Sequence, residues 1–218
     1  MGLGQLAEQE FDAVIFDMDG TLIDSTPAVE RAWTKWAVEH GLTRAETAGH
    51  HGVPSAGVVR KVLPAEQHES AIARINELEL QDLQGIVVLP GAAEALAALR
   101  EAKNAIATSC TIPLANARIG AAQLVRPSVV VTADDVLRGK PAPDPFLEAA
   151  KRLGVDPTRC LVVEDAPAGL EAARAAGCFT LAVVTTTAPE DLYADAVVPN
   201  LASVTFEVTP TGIRVHPA

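Results

Sequence analysis

The stretch AVIFDMDGT, Ala13 to Thr21, carries two carboxylates, Asp17 and Asp19, out of an apolar run and into a glycine turn. Residues two apart on a strand share a face, so the pair is expected to leave the sheet side by side. Two carboxylates so placed repel unless a cation lies between them or one holds a proton. Val14, Ile15 and Phe16 have the character of a strand buried on both faces, and Gly20 permits a sharp turn at its carboxyl end. In open α/β sheets that edge is where ligands bind. A calcium loop fits poorly, because it needs further oxygen ligands, a glutamate at fixed spacing and a preceding helix.

Positioning such a pair requires a scaffold, and the rest of the chain supplies its pattern. The segment TPAVERAWTKWAVEHG is expected to be a helix with Val29, Trp33, Trp36, Ala37 and His40 on one face and Gly41 as its stop. Two more helices are expected near Ser55 to Leu63 and Pro64 to Leu83, with no convincing buried strand between Pro27 and Val88. From Pro90 onward strands and helices alternate regularly, the signature of a doubly wound parallel sheet. The expected strands are Asn104 to Thr108, Ser128 to Thr132, CLVVED, FTLAVV and a short AVV near Val197. The expected helices run from Ala92 to Ala102, Pro113 to Gln123, Pro143 to Leu153 and along APAGLEAARAAG. The tail FEVTPTGIRV is compatible with a hairpin. The fold class expected is therefore α/β: a core of residues 1–24 and 89–218 with an inserted helical cap of residues 25–88.

The 218 residues, 49% of them hydrophobic, suffice for one sizeable core. A net charge of −11 without any basic run argues against nucleic-acid binding, so an anionic substrate needs a local positive site. Cys110, Cys160 and Cys178 lack pairing or zinc-ligand spacing, which points to a reducing compartment. The segment MGLGQLAEQE is too polar for a signal peptide, and no stretch approaches the roughly 20 apolar residues of a membrane span. A cytoplasmic location, no membrane partner and a monomer or weak dimer are the expectations.

Parallel strands bring their carboxyl ends to one edge, so four groups distant in sequence should meet there. They are Asp17 with Asp19; Thr108 followed by Ser109 and Cys110; Lys140, one of five lysines; and Glu164 with Asp165, just before a helix. Four carboxylates, a hydroxyl and an ammonium suit Mg²⁺ and a phosphoryl group, since this hard cation takes oxygen ligands and accepts phosphate oxygens. Lys140 and the Thr108 hydroxyl could then hold the remaining phosphate oxygens, with backbone N–H groups after the first strand as further donors.

Taken in order, these residues resemble the motifs of the haloacid dehalogenase superfamily, in its branch of helical-cap phosphatases and phosphomutases. FDMDGTLIDS is similar to the first family motif, ATS to the second, GKPAPD to the third and VVEDAPAGLEAARAAG to the fourth, over roughly Phe11 to Leu201. The likeness is greatest to sugar and polyol phosphate phosphatases, such as the glycerol-phosphate and 2-deoxyglucose-6-phosphate enzymes. The resemblance implies that Asp17 is the nucleophile toward phosphorus and Asp19 the general acid and base. It implies Mg²⁺ held by Asp17, the backbone carbonyl of Asp19, Asp165 and Glu164, the last directly or through water. Thr108 and Lys140 would neutralise the transferring phosphoryl, with Gly20 and Ser109 among the substrate contacts.

The same resemblance disfavours dehalogenation, which uses no metal and lacks a counterpart of Asp19, and phosphonate cleavage, which uses a cap lysine. A β-phosphoglucomutase is the family rival, and a phosphoglycolate phosphatase is a further alternative. Mutases carry an arginine in the cap loop, whereas GHHGVPSAG places Ser55 at about that position, which favours a hydrolase. His50, His51 and Ser55 are the cap candidates for substrate contact, and Trp33 and Trp36 are expected in the cap core.

Overall fold

The computed structural model describes residues 2–47 and 52–218. In chain order its strands and helices are β1 (Ala13–Phe16), β2 (Ile23–Asp24), α1 (Thr26–Glu39), α2 (Arg44–Thr47), α3 (Ser55–Val62), α4 (His68–Gln81), β3 (Val87–Val88), α5 (Ala92–Ala98), β4 (Asn104–Ala107), α6 (Ile112–Ala121) and β5 (Val129–Val131). They continue with α7 (Asp144–Leu153), β6 (Cys160–Glu164), α8 (Pro167–Ala175), β7 (Phe179–Val183), β8 (Ala196–Val198), β9 (Val204–Val208) and β10 (Ile213–Pro217). Six strands form a parallel sheet in the order β5-β4-β1-β6-β7-β8. The doubly wound α/β class expected from the strand and helix alternation is the class observed.

β1 lies mid-sheet, hydrogen-bonded to β4 on one side and β6 on the other. Both of its faces are covered, which is why its residues are apolar without alternation. Val14 and Phe16 pack with α5, α6 and the β9–β10 hairpin, while Ala13 and Ile15 pack with α7 and α8. Phe16 meets Phe206 of the hairpin edge to face, with centroids 6.0 Å apart. Burying a side chain of this size contributes about 1.5–3 kcal/mol, so β1 is anchored before any polar group is considered.

Between β2 and β3, which pair with each other as a short antiparallel ribbon, the described residues contribute the helices α1 to α4. These helices have an apolar centre of their own made by Ala32, Trp36, Val59, Ala71, Ile75 and Leu78. The buried stripe of α1 is Ala28, Ala32, Trp36 and Ala37, shifted from the expected face. Trp36 is fully buried and its indole Nε1 donates to the Ala71 carbonyl at 2.9 Å. Trp33 and Val29 instead sit at the margin, partly buried, and both line a cavity between these helices and the sheet edge. No helix among the described residues is long and apolar enough to cross a membrane.

Candidate active site

All four expected groups reach the same edge of the sheet. Asp17 directly follows β1, and its backbone N–H still donates to Val163 of β6, so its side chain is fixed by sheet pairing. Asp17 Oδ1 accepts from Lys140 Nζ at 2.5 Å, and the same ammonium donates to Glu164 Oε1 at 2.8 Å. Lys140 has no exposed side-chain surface and lies 5.1 Å from the centroid of the Phe146 ring. Glu164 Oε2 accepts the N–H groups of Asp165 and Ala166, both at 2.7 Å. Asp165 accepts hydroxyl hydrogen bonds from Thr21 and Thr186.

Two glycines make this close approach feasible. A Cβ on Gly169, in the first turn of α8, would overlap the Glu164 carboxylate, and one on Gly20 would overlap that of Asp165. Gly20 also has a φ of 93°, a left-handed conformation that other residues rarely adopt.

Asp17, Glu164 and Asp165 each offer an oxygen within 4.8 Å of the others. One ammonium neutralises only one of three buried carboxylates, so the cluster has an excess of negative charge that a divalent cation fits. The protonation equilibria show the same imbalance. Burial pushes the Asp17 carboxyl well above its usual range against the pull of Lys140, with Glu164 and Asp165 pushing it further. Burial, then Glu164, raises Asp165 to about 7. Burial alone would lower Lys140, but Asp17 and Glu164 outweigh it and keep the ammonium charged.

A pH dependence of stability follows. Between about pH 5 and 7 the folded protein retains a proton on Asp165 that the unfolded chain, with ordinary carboxyl groups, has already released. Stability without metal therefore falls as pH rises through that window. The surface carboxylates held low by arginine partners, such as Glu39 and Asp82, are ionised in both states there and contribute no slope. The expected result in EDTA is a melting temperature that declines from pH 5 to 7, and a stabilisation by added Mg²⁺ that grows with pH. A Mg²⁺ effect independent of pH would contradict the cluster as the binding site.

Asp19 departs from the expected side-by-side pair. β1 ends at Phe16, so the two-residue repeat does not extend to Asp19, and its carboxylate turns to other partners. Ser25 donates to Oδ1 at 2.6 Å, Arg118 Nη1 to Oδ1 at 2.9 Å, and Cys110 Sγ to Oδ2 at 3.1 Å. Both aspartates nevertheless line one cavity of about 200 Å³, together with Gly20, Ser55, Thr108 and Ser109. Thr108 Oγ1 accepts from the Cys110 N–H at 3.1 Å, leaving its own proton for an acceptor in the cavity. Ser109 donates to the Gly52 carbonyl at 2.8 Å, tying the sheet edge to the helical segment. Ser55 donates to Asn76 Oδ1 at 3.2 Å. His50 and His51 lie outside the described residues.

Arg118 and Glu79 are site residues that the motif search does not find. Arg118, 4% exposed, joins Asp19 to Glu79 Oε1, 3.1 Å from its Nη2. A signal existed: Arg118 stands in the buried stripe of α6 with Leu114, Ala115 and Ile119, and Glu79 in that of α4 with Ala71, Ile75 and Leu78. A charge on an apolar stripe demands a partner.

Comparison with known proteins agrees with this geometry. Residues 11–177 match the family model for haloacid dehalogenase-like hydrolases. The chain belongs to that family. Among haloacid dehalogenase-like hydrolases, hexitol phosphatase A of Escherichia coli is 42% identical over 91% of this chain and 95% of its own. Glycerol-1-phosphate phosphohydrolase 1 of Saccharomyces cerevisiae is 35% identical over 81% of this chain and 76% of its own. A hydrolase from Pseudomonas syringae superposes with a TM-score of 0.79 at 29% identity, covering 88% of this chain and 94% of that one. The protein is thus an enzyme, a phosphoric monoester hydrolase of this family.

Proposed function

We propose that the chain is a Mg²⁺-dependent phosphatase that hydrolyses a small, neutral sugar or polyol monophosphate through an aspartyl-phosphate on Asp17. The observation that carries this reading is that Asp17, Asp19 and Thr108 line one cavity, with the Lys140 ammonium hydrogen-bonded to Asp17. Asp17 Oδ attacks phosphorus, the bond from phosphorus to the ester oxygen breaks, and Asp19 delivers a proton to the departing alkoxide. Asp19 then takes a proton from water as that water attacks the acyl phosphate, releasing inorganic phosphate and restoring Asp17. Lys140 and the Thr108 hydroxyl neutralise the equatorial oxygens in both transfers. Asp17, Asp165, the Asp19 backbone carbonyl and Glu164, whose oxygens already accept from Lys140 and two backbone N–H groups, would hold Mg²⁺, which supplies charge neutralisation to the phosphoryl group. The helical segment of residues 25–88 would act as a cap that excludes water during the first transfer.

The substrate class rests on the walls of the cavity and on the relatives. Arg118 is the one cation among the described residues that line it, and it is already flanked by Asp19 and Glu79. A second phosphate, as a phosphosugar mutase requires, finds no free cation among those described residues. Hexitol and glycerol phosphatases among the relatives fit a neutral, hydroxylated leaving group. The test is phosphate release with Mg²⁺ across hexitol, glycerol and deoxyglucose phosphates, phosphoglycolate, nucleotides and hexose bisphosphates. Polyol or sugar monophosphates should dominate and EDTA should abolish turnover. Isomerised phosphosugar without free phosphate would establish the mutase reading instead.

A further inference from the structure

The leaving-group side of the cavity carries Asn76 and Glu79, three residues apart on α4, and shares that cavity with Asp19 of the sheet edge and Arg118 of α6. Glu79 is 6% exposed, and among the described residues only its Oε1 is engaged, by Arg118. Arg118 Nε is the one fully buried side-chain polar atom lacking a partner among the described residues. Glu79 Oε2 has no hydrogen-bond partner among the described residues, and Glu79 lines the cavity. Around this point stand the carboxyl groups of Asp19 and Glu79 and one guanidinium, which leaves no surplus positive charge whether or not Asp19 holds a proton.

From this arrangement we propose that Glu79 is the specificity-determining residue of the site, accepting hydroxyl hydrogen bonds from the leaving group through Oε2 and excluding anionic leaving groups by its charge. The proposal rests on the phosphatase reading above and goes beyond it in naming the residue that chooses the ester. A carboxylate is acceptor-only when ionised, so it matches the hydroxyl donors of a polyol and nothing on a carboxylate or second phosphate. Its pairing with Arg118 is equally necessary. With Glu79 ionised beside it, the charge of the guanidinium is balanced even when Asp19 holds the proton it delivers, so no surplus positive charge is offered to an incoming anion.

A merely structural Glu79, which steadied Arg118 and through it Asp19, would change turnover of every ester by one factor. Ratios of kcat/KM between esters therefore separate the two roles. In Glu79→Leu, which removes the acceptor, the preference for glycerol phosphate over ethyl phosphate should collapse by roughly tenfold or more. In Glu79→Gln, which keeps the shape and a carbonyl toward Arg118 but removes the charge, phosphoglycolate should gain on hexitol phosphate by roughly tenfold. The isosteric variant keeps the test alive should the leucine variant not fold. Ratios in the glutamine variant within threefold of those of the native enzyme would overturn the proposal, whatever happens to kcat. Absence of phosphate release from any ester by the native enzyme would instead overturn the phosphatase reading, and a native preference for phosphoglycolate its substrate class.

Discussion

Asp17→Asn should abolish phosphate release, by roughly 10⁴-fold or more in kcat, while leaving the fold without metal as stable as the native protein or more so. The two halves of this expectation have one cause. The variant presents a neutral amide where the proposed mechanism needs a nucleophilic carboxylate, and the neighbouring Glu164 and Asp165 are buried and engaged on both oxygens. The same replacement removes one of three crowded carboxylates whose burial and mutual repulsion hold Asp17 well above its ordinary range. Lys140 keeps Glu164 as its partner. The checks are single-turnover phosphate release and thermal melting in EDTA near pH 7, with Mg²⁺ stabilising the variant less than the native chain. Activity within tenfold of native would remove Asp17 from the role of nucleophile.

What could be read in advance, and what could not, divides along a physical line. β1 was legible because both its faces are buried, which forces an uninterrupted apolar run, and Gly20 marked its end through a φ that other residues avoid. The strand-end groups were legible because parallel pairing alone carries them to one edge, whatever the intervening chain does. The direction of a side chain beyond a strand end is not so fixed. Asp19 lies three residues past Phe16, and its rotation toward Ser25 and Arg118 is decided by partners beside α1 and on α6. Arg118 is separated from Asp19 by 99 positions and from Glu79 by 39. Spacing encodes neither pairing, although the charge on each apolar stripe announced that some partner had to exist. Trp33 shows a related limit: it packs on the helical core and lines the cavity at once, a double exposure that helix periodicity does not resolve.

The largest expected effect on stability belongs to Lys140. In Lys140→Met the alkyl stem is preserved, but Asp17, Glu164 and Asp165 are left buried with no cation among them. Removing one partner of a buried pair costs about 3–5 kcal/mol, for a chain of this length a fall of roughly 6–20 °C in melting temperature. The loss is measured by thermal melting in EDTA at pH 7. It should shrink when Mg²⁺ is added, because a divalent ion supplies the missing positive charge, and shrink again as pH falls, because the carboxyls then carry protons. Phosphate release should fall by roughly 10²–10³-fold even in saturating Mg²⁺ if Lys140 is, as proposed, a donor to the transferring phosphoryl that the metal does not replace. Arginine is not a conservative choice here, as a side chain with no exposed surface leaves no room for a planar fork. The decisive comparison is the double variant Asp17→Asn with Lys140→Met. With one fewer unpaired carboxylate, Asp17→Asn should stabilise the Lys140→Met chain in EDTA by more than it stabilises the native chain, a non-additivity that directly measures the coupling of the pair. An equal effect of Asp17→Asn in both backgrounds would mean that Lys140 acts through packing against Phe146 rather than through charge.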